Sequence, residues 1–182
     1  MRDAPGPARA AGPGGPRRAD LPCVPDLACG PAARHRVIRL GACPESPRAA
    51  RGFTARTLAS WQLQDLAADA VTVASELVTN AIVHGRSPAA RHGGSPGPGA
   101  PGPGEPPGVI CLAWQWHGSR VVCVVTDENP VGPVPRCGDP GAESGRGLQV
   151  VQALALAWGW LLVGSGGKAV WASLPARWRP GS

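Results

Sequence analysis

Glu76, Asn80 and His84 stand four residues apart in the run Ala-Ser-Glu-Leu-Val-Thr-Asn-Ala-Ile-Val-His-Gly at 74–85. With about 3.6 residues per helical turn, that spacing puts all three on one side of a helix. A carboxylate beside a side-chain amide suits a magnesium nucleotide site, because the hard cation takes oxygen ligands and keeps several waters. Asn80 could supply such an oxygen, and Glu76 could accept a proton from a nucleophile. Read alone, the pair is also what an ordinary solvated helix face looks like, so its meaning depends on what the fold brings to it.

Two later segments could be that company. Asp127 follows the apolar run Val121-Val122-Cys123-Val124-Val125, and a carboxylate at the end of a buried strand sits where it can reach a ligand. Further on, Glu143-Ser144-Gly145-Arg146-Gly147-Leu148 opens a stretch in which Leu148, Val151, Ala155 and Trp158 recur at helical spacing. Gly145 and Gly147 are therefore expected at a helix N-terminus, where free backbone donors and the positive end of the dipole suit a phosphate. A Gly-x-Gly on its own also fits a plain turn.

The elements that must position these groups can be read from the pattern. Leu66, Ala70, Val73, Leu77 and Ala81 form an apolar stripe beside the polar row, which predicts a helix from about Gln64 to His84, ended by Gly85 and packed on a sheet. Before it, His35 to Leu40 reads as an edge strand. Ser46 then caps a helix with Pro47 in its first turn, running through Phe53, Leu58 and Trp61. Val109–Trp116 and Arg120–Thr126, joined at His117-Gly118-Ser119, read as a hairpin whose second strand has no polar face and should be central. A second hairpin, Gly159–Val163 and Lys168–Leu174, closes the chain. The fold class is α+β: a two-layer α/β sandwich, with a mixed, mainly antiparallel sheet and helices on one face.

Composition bounds the rest. In 182 residues, glycine and proline concentrate in the leader and at 86–108. Residues 1–34 are expected to be a disordered leader and 86–108 a low-complexity insertion within a domain at 35–175, with 176–182 a frayed tail. The net charge of +6 is scattered and comes almost wholly from arginine, Lys168 being the sole lysine. No basic cluster interleaved with aromatics marks a nucleic-acid surface. Six cysteines show no zinc-type pairing, and Cys111 and Cys123 read as buried hydrophobes. With no signal-peptide core and no apolar run of roughly 20 residues, a cytoplasmic protein away from the membrane is expected.

In this order and spacing the segments resemble the histidine-kinase-like ATPase superfamily, and within it the bacterial anti-sigma-factor serine/threonine kinases. Glu76 to Gly85 is similar to that family's N box, Val125-Thr126-Asp127 with the following proline loop to its first glycine box, and Ser144 to Leu148 to its second. Gly167-Lys168-Ala169-Val170-Trp171 is similar to its closing strand. The resemblance implies ATP and Mg²⁺ as cofactors. It implies Glu76 as general base, Asn80 as the magnesium ligand, Asp127 at the adenine amino group, and Gly145, Arg146, Gly147 and Leu148 at the phosphates. It further implies a sigma factor or an anti-anti-sigma-type protein as partner, with a homodimer possible. His84 reads as a helix-ending structural residue.

Two departures stand out: Asp127-Glu128-Asn129-Pro130 lacks the glycine after the aspartate, and Ala169 stands where relatives commonly carry an adenine-holding threonine. Loss of that hydroxyl predicts weaker nucleotide binding by about 1 kcal/mol. Four functional readings follow. They are a kinase in partner switching, a nucleotide-binding sequestration module with little transfer, the catalytic half of a histidine sensor kinase, and a fold without a ligand. The third needs a helical phosphoacceptor segment before the domain, which the leader does not suggest. The loop Pro130–Pro140 is expected to act as a lid over the nucleotide.

Overall fold

The computed structural model describes residues 34–85, 108–133, 146–164 and 166–176. The leader through residue 33, nearly all of the 86–108 insertion, most of the proline-rich loop, Gly145 and the tail beyond Ala176 lie outside the described residues.

Five strands form one sheet in the order β1-β2-β3-β5-β4: β1 Arg34–Gly41, β2 Val109–Trp116, β3 Arg120–Asp127, β4 Ala157–Leu162 and β5 Lys168–Pro175. All four described ladders are antiparallel. The valine-rich strand β3 is central, as its lack of a polar face predicts, and β1 lies at the edge. The β2–β3 turn passes through Gly118, whose φ of +70° is a conformation open to glycine at little cost.

Three helices, α1 Ser46–Ser60, α2 Ala67–His84 and α3 Arg146–Leu154, pack on one face of the sheet. Helix α2 lies at the centre of this layer, against α1, α3, β2, β3 and β5. Its stripe of Ala70, Val73, Ala74, Leu77, Val78 and Ala81 is buried against Leu112, Trp114, Val121, Cys123, Val125, Val170 and Ala172. By length and composition the helical stretch Gln64–His84 could cross a bilayer, but here its apolar side builds the core. A smaller cluster of Ala113, Val122, Val124 and Ala169 lies on alternate positions of the same strands, on the sheet's opposite face.

Three local expectations are corrected. Ser46 does not cap α1: Glu45 holds the N-cap position without a side-chain cap bond, while the Ser46 hydroxyl donates to Gly41 O at the end of β1. The stretch from Gln64 begins with a 3₁₀ turn, Gln64–Leu66, before α2 proper. Helix α3 stops at Leu154, so Trp158 belongs to β4, where it pairs with Ala172. Its helical spacing to Val151 and Ala155 was coincidental, because short apolar runs fit both periods and cross-strand pairing decides between them.

Candidate functional site

Helix α2 spans the site from one end to the other. Burying its apolar stripe fixes the rotation of the helix, which leaves Glu76 and Asn80 half-buried and His84 exposed at the C-terminal end.

At the Glu76 end, the first turn of α3 meets the polar row. A Cβ at Gly147 would lie 2.4 Å from Glu76 Oε2 and 3.6 Å from Asn80 Nδ2. Leu148, buried in the core, anchors that turn, and Arg146 is exposed at its start. The carboxylate tip of Glu76 occupies the space a side chain at 147 would take. The result places an acid, an amide and the backbone donors of a helix N-terminus together. Asn80 Nδ2 is buried with no hydrogen-bond partner among the described residues, a polar atom poised for a ligand. No group of three or more His, Cys, Asp or Glu side chains among the described residues forms a metal site. A cation held by Asn80 would therefore complete its shell with waters and phosphate oxygens, as Mg²⁺ does in nucleotide sites.

At the other end, Asp127 closes β3 and is almost fully buried. Its Oδ1 accepts from Lys168 Nζ at 2.8 Å and from the Asn129 backbone N–H at 2.9 Å. Lys168 Nζ also donates to Asn129 O at 3.2 Å. The Asn129 amide donates from Nδ2 to His84 O and accepts at Oδ1 from Val131 N, fastening the start of the loop to the last turn of α2. Burial pushes the Asp127 carboxyl above its ordinary value, a rise that Lys168 and the Asn129 N–H oppose. Gly85 ends α2 without a left-handed turn, at φ −81°. Its reason is space, since a Cβ would meet Ala81 O at 2.1 Å and Asp127 Cβ at 2.9 Å.

The two ends are thus tied through α2. Asn80 touches the α3 side and His84–Gly85 touches the Asp127 side, one helical turn or about 6 Å further along. Glu76, Asn80, Gly147 and Asp127 converge on one helix, with Leu148 anchoring and Arg146 flanking the α3 turn.

Strand register corrects the expected adenine-pocket defect. Ala169 pairs with Thr126 and packs with Val122 and Val124 on the sheet face away from the helices, so its side chain points to the face opposite that of Asp127. The residue opposite Asp127 is Lys168. Lys168 and Asn129 are the two site residues that motif reading missed. A signal for the first was there: one lysine among eighteen basic residues, directly before the closing strand's apolar run.

The family profile for the histidine kinase-like ATPase domain matches residues 40–174, and the chain belongs to this family of ATP-binding domains. Among solved structures it is similar to the RsbU and RsbW domains of Rv1364c from Mycobacterium tuberculosis, at 22% identity and a TM-score of 0.49, over 82% of this chain and 35% of that one. The chain therefore spans about a third of that protein's length. No curated protein matches it.

Proposed function

We propose that this domain binds ATP with Mg²⁺ between α2, the loop after Asp127 and the start of α3. It transfers the γ-phosphate to a serine or threonine of an anti-anti-sigma-type protein, as the kinase of a partner-switching pair that regulates a sigma factor in the cytoplasm. The observation that carries this reading is the meeting of Glu76, Asn80 and the first turn of α3, which joins a proton acceptor, an oxygen ligand and phosphate donors at one place.

Each residue has a definite task. Asp127 accepts from the adenine amino group. The backbone N–H groups at 145–147 receive phosphate oxygens, and Leu148 holds their turn against the core. Asn80 offers its side-chain oxygen to the cation. Glu76 accepts the proton of the attacking hydroxyl and orients it, a contribution of roughly 10²–10⁴ in rate. Bound Mg²⁺ would neutralise charge on the phosphates, the main electrostatic need of phosphoryl transfer.

Calorimetric titration with ATP, with and without Mg²⁺, followed by radiolabel transfer to a cognate anti-anti-sigma-type protein, tests the reading. Glu76→Ala should keep most of the ATP affinity and lose transfer, and unchanged transfer would remove Glu76 as the base. A second reading, a nucleotide-dependent sequestration module with little transfer, is favoured by one feature. The Glu76 carboxylate sits against the first turn of α3, where it can stabilise the helix N-terminus without doing chemistry. ATP binding without transfer in the same assay would select it.

A further inference from the structure

Resting on the ATP-binding reading above, we propose that Lys168 is a base-reading residue, donating to ring N1 of adenine while Asp127 accepts from the adjacent amino group. Asp127 and Lys168 are paired residues on neighbouring strands, so their side chains stand on the same, helix-facing side of the sheet. Nζ lies 2.8 Å from Oδ1, and both side chains are all but sealed from solvent at 4% and 3% exposure.

Hydrogen-bond capacity supports the assignment. An ammonium carries three N–H donors, and the described bonds use two, to Asp127 Oδ1 and to Asn129 O. Both described bonds to the Asp127 carboxylate fall on Oδ1, so Oδ2 is the oxygen available to a ligand. The pair therefore presents one donor beside one acceptor. Adenine offers the complement on its Watson–Crick edge, an acceptor at N1 beside a donor at the 6-amino group. Guanine in the same pose offers the reverse, so its O6 would face a carboxylate and its N1–H an ammonium. A site built on buried polar groups rejects such a mismatch strongly, because both of its groups are left unpaired. Asn129 holds the pair in place from the loop side, through its backbone at both members and its amide at His84.

The test compares ATP with 1-deaza-ATP, which lacks the ring N1 but keeps the amino group, by calorimetry on the full chain. The wild type should bind 1-deaza-ATP about ten- to a hundredfold more weakly, the range for a hydrogen bond to a charged group. Lys168→Met should bind ATP more weakly and treat the two nucleotides alike. Equal affinity of the wild type for both nucleotides overturns the proposal without any variant, which matters if Lys168→Met folds poorly. An undiminished 1-deaza penalty in Lys168→Met also overturns it. Tighter ATP binding by that variant would make the lysine a plug that competes for Asp127. If the wild type binds no adenine nucleotide at all, the ATP-binding reading itself falls, an outcome distinct from equal binding of the two analogues.

Discussion

The two ends of α2 are walled by different materials. At the Asp127 end the neighbours are backbone atoms and a sealed ion pair: Gly85 abuts Ala81 O, Gly167 abuts Asp127 O, and Lys168 meets Asp127. At the Glu76 end the closest neighbour of Gly147 is the tip of a half-buried, flexible side chain. The same residue type, glycine, therefore answers to a rigid constraint at one end and a yielding one at the other. The proposed division of labour follows. The rigid end suits recognition of a flat base, which needs fixed donors and acceptors, and at the yielding end the proposed base, Glu76, can close on a substrate hydroxyl when it binds.

Substitutions can break or sharpen that contrast. The largest effect is expected for Lys168→Met, which leaves the Asp127 carboxylate buried without its cation and should cost about 3–5 kcal/mol in urea denaturation. Glu76→Gln at the other end should cost less than about 1 kcal/mol by the same measurement. Equal losses at the two positions would erase the distinction. Next come Gly85→Ala and Gly167→Ala, whose new Cβ atoms would each fall 2.1 Å from a carbonyl oxygen. Backbone cannot turn aside as a side chain can, so each should lower the denaturation midpoint by an amount worth about 1–3 kcal/mol.

Gly147→Ala should do the opposite. Its Cβ is relieved by rotating Glu76 away, so the midpoint should move by less than about 1 kcal/mol, while on the proposed kinase reading transfer should fall because Glu76 is displaced. Thermal or urea unfolding beside radiolabel transfer separates the two effects.

The smallest effect is in the pH dependence of stability. Because the Asp127 carboxyl is held above its ordinary value, the folded chain binds that proton more tightly than the unfolded chain. The stability it contributes is full below about pH 4, the ordinary carboxyl value, and declines as pH rises through the raised value. Asp127→Asn should flatten that part of the stability–pH curve, measured by urea denaturation across the pH range.

Much of the architecture was readable in advance. The central position of β3 followed from five consecutive apolar residues, the turn at Gly118 from its glycine, and the face of α2 from Leu66, Ala70, Val73, Leu77 and Ala81. The meeting of Glu76 and Asn80 with the start of α3 was legible through motif order, although periodicity alone could not distinguish it from a solvated face. The end of α3 and the membership of Trp158 were not legible, since an apolar run that fits a helix also fits a strand until a partner strand claims it.

Sequence by itself determined what is periodic or chemically local: which side of α2 is apolar, which strand is buried on both faces, and which residues could act as acid, amide or phosphate donor. Only the tertiary structure decided which residue stands beside Asp127. Motif reading put Ala169 where relatives carry an adenine-holding threonine, yet register pairs Asp127 with Lys168, and the alternation of a strand sends the Ala169 side chain to the far face. The physical reason is that a strand's side chains switch faces at every residue. A one-residue ambiguity that means little along the chain therefore becomes, across the sheet, the difference between a buried ammonium at the site and a methyl group on its other side.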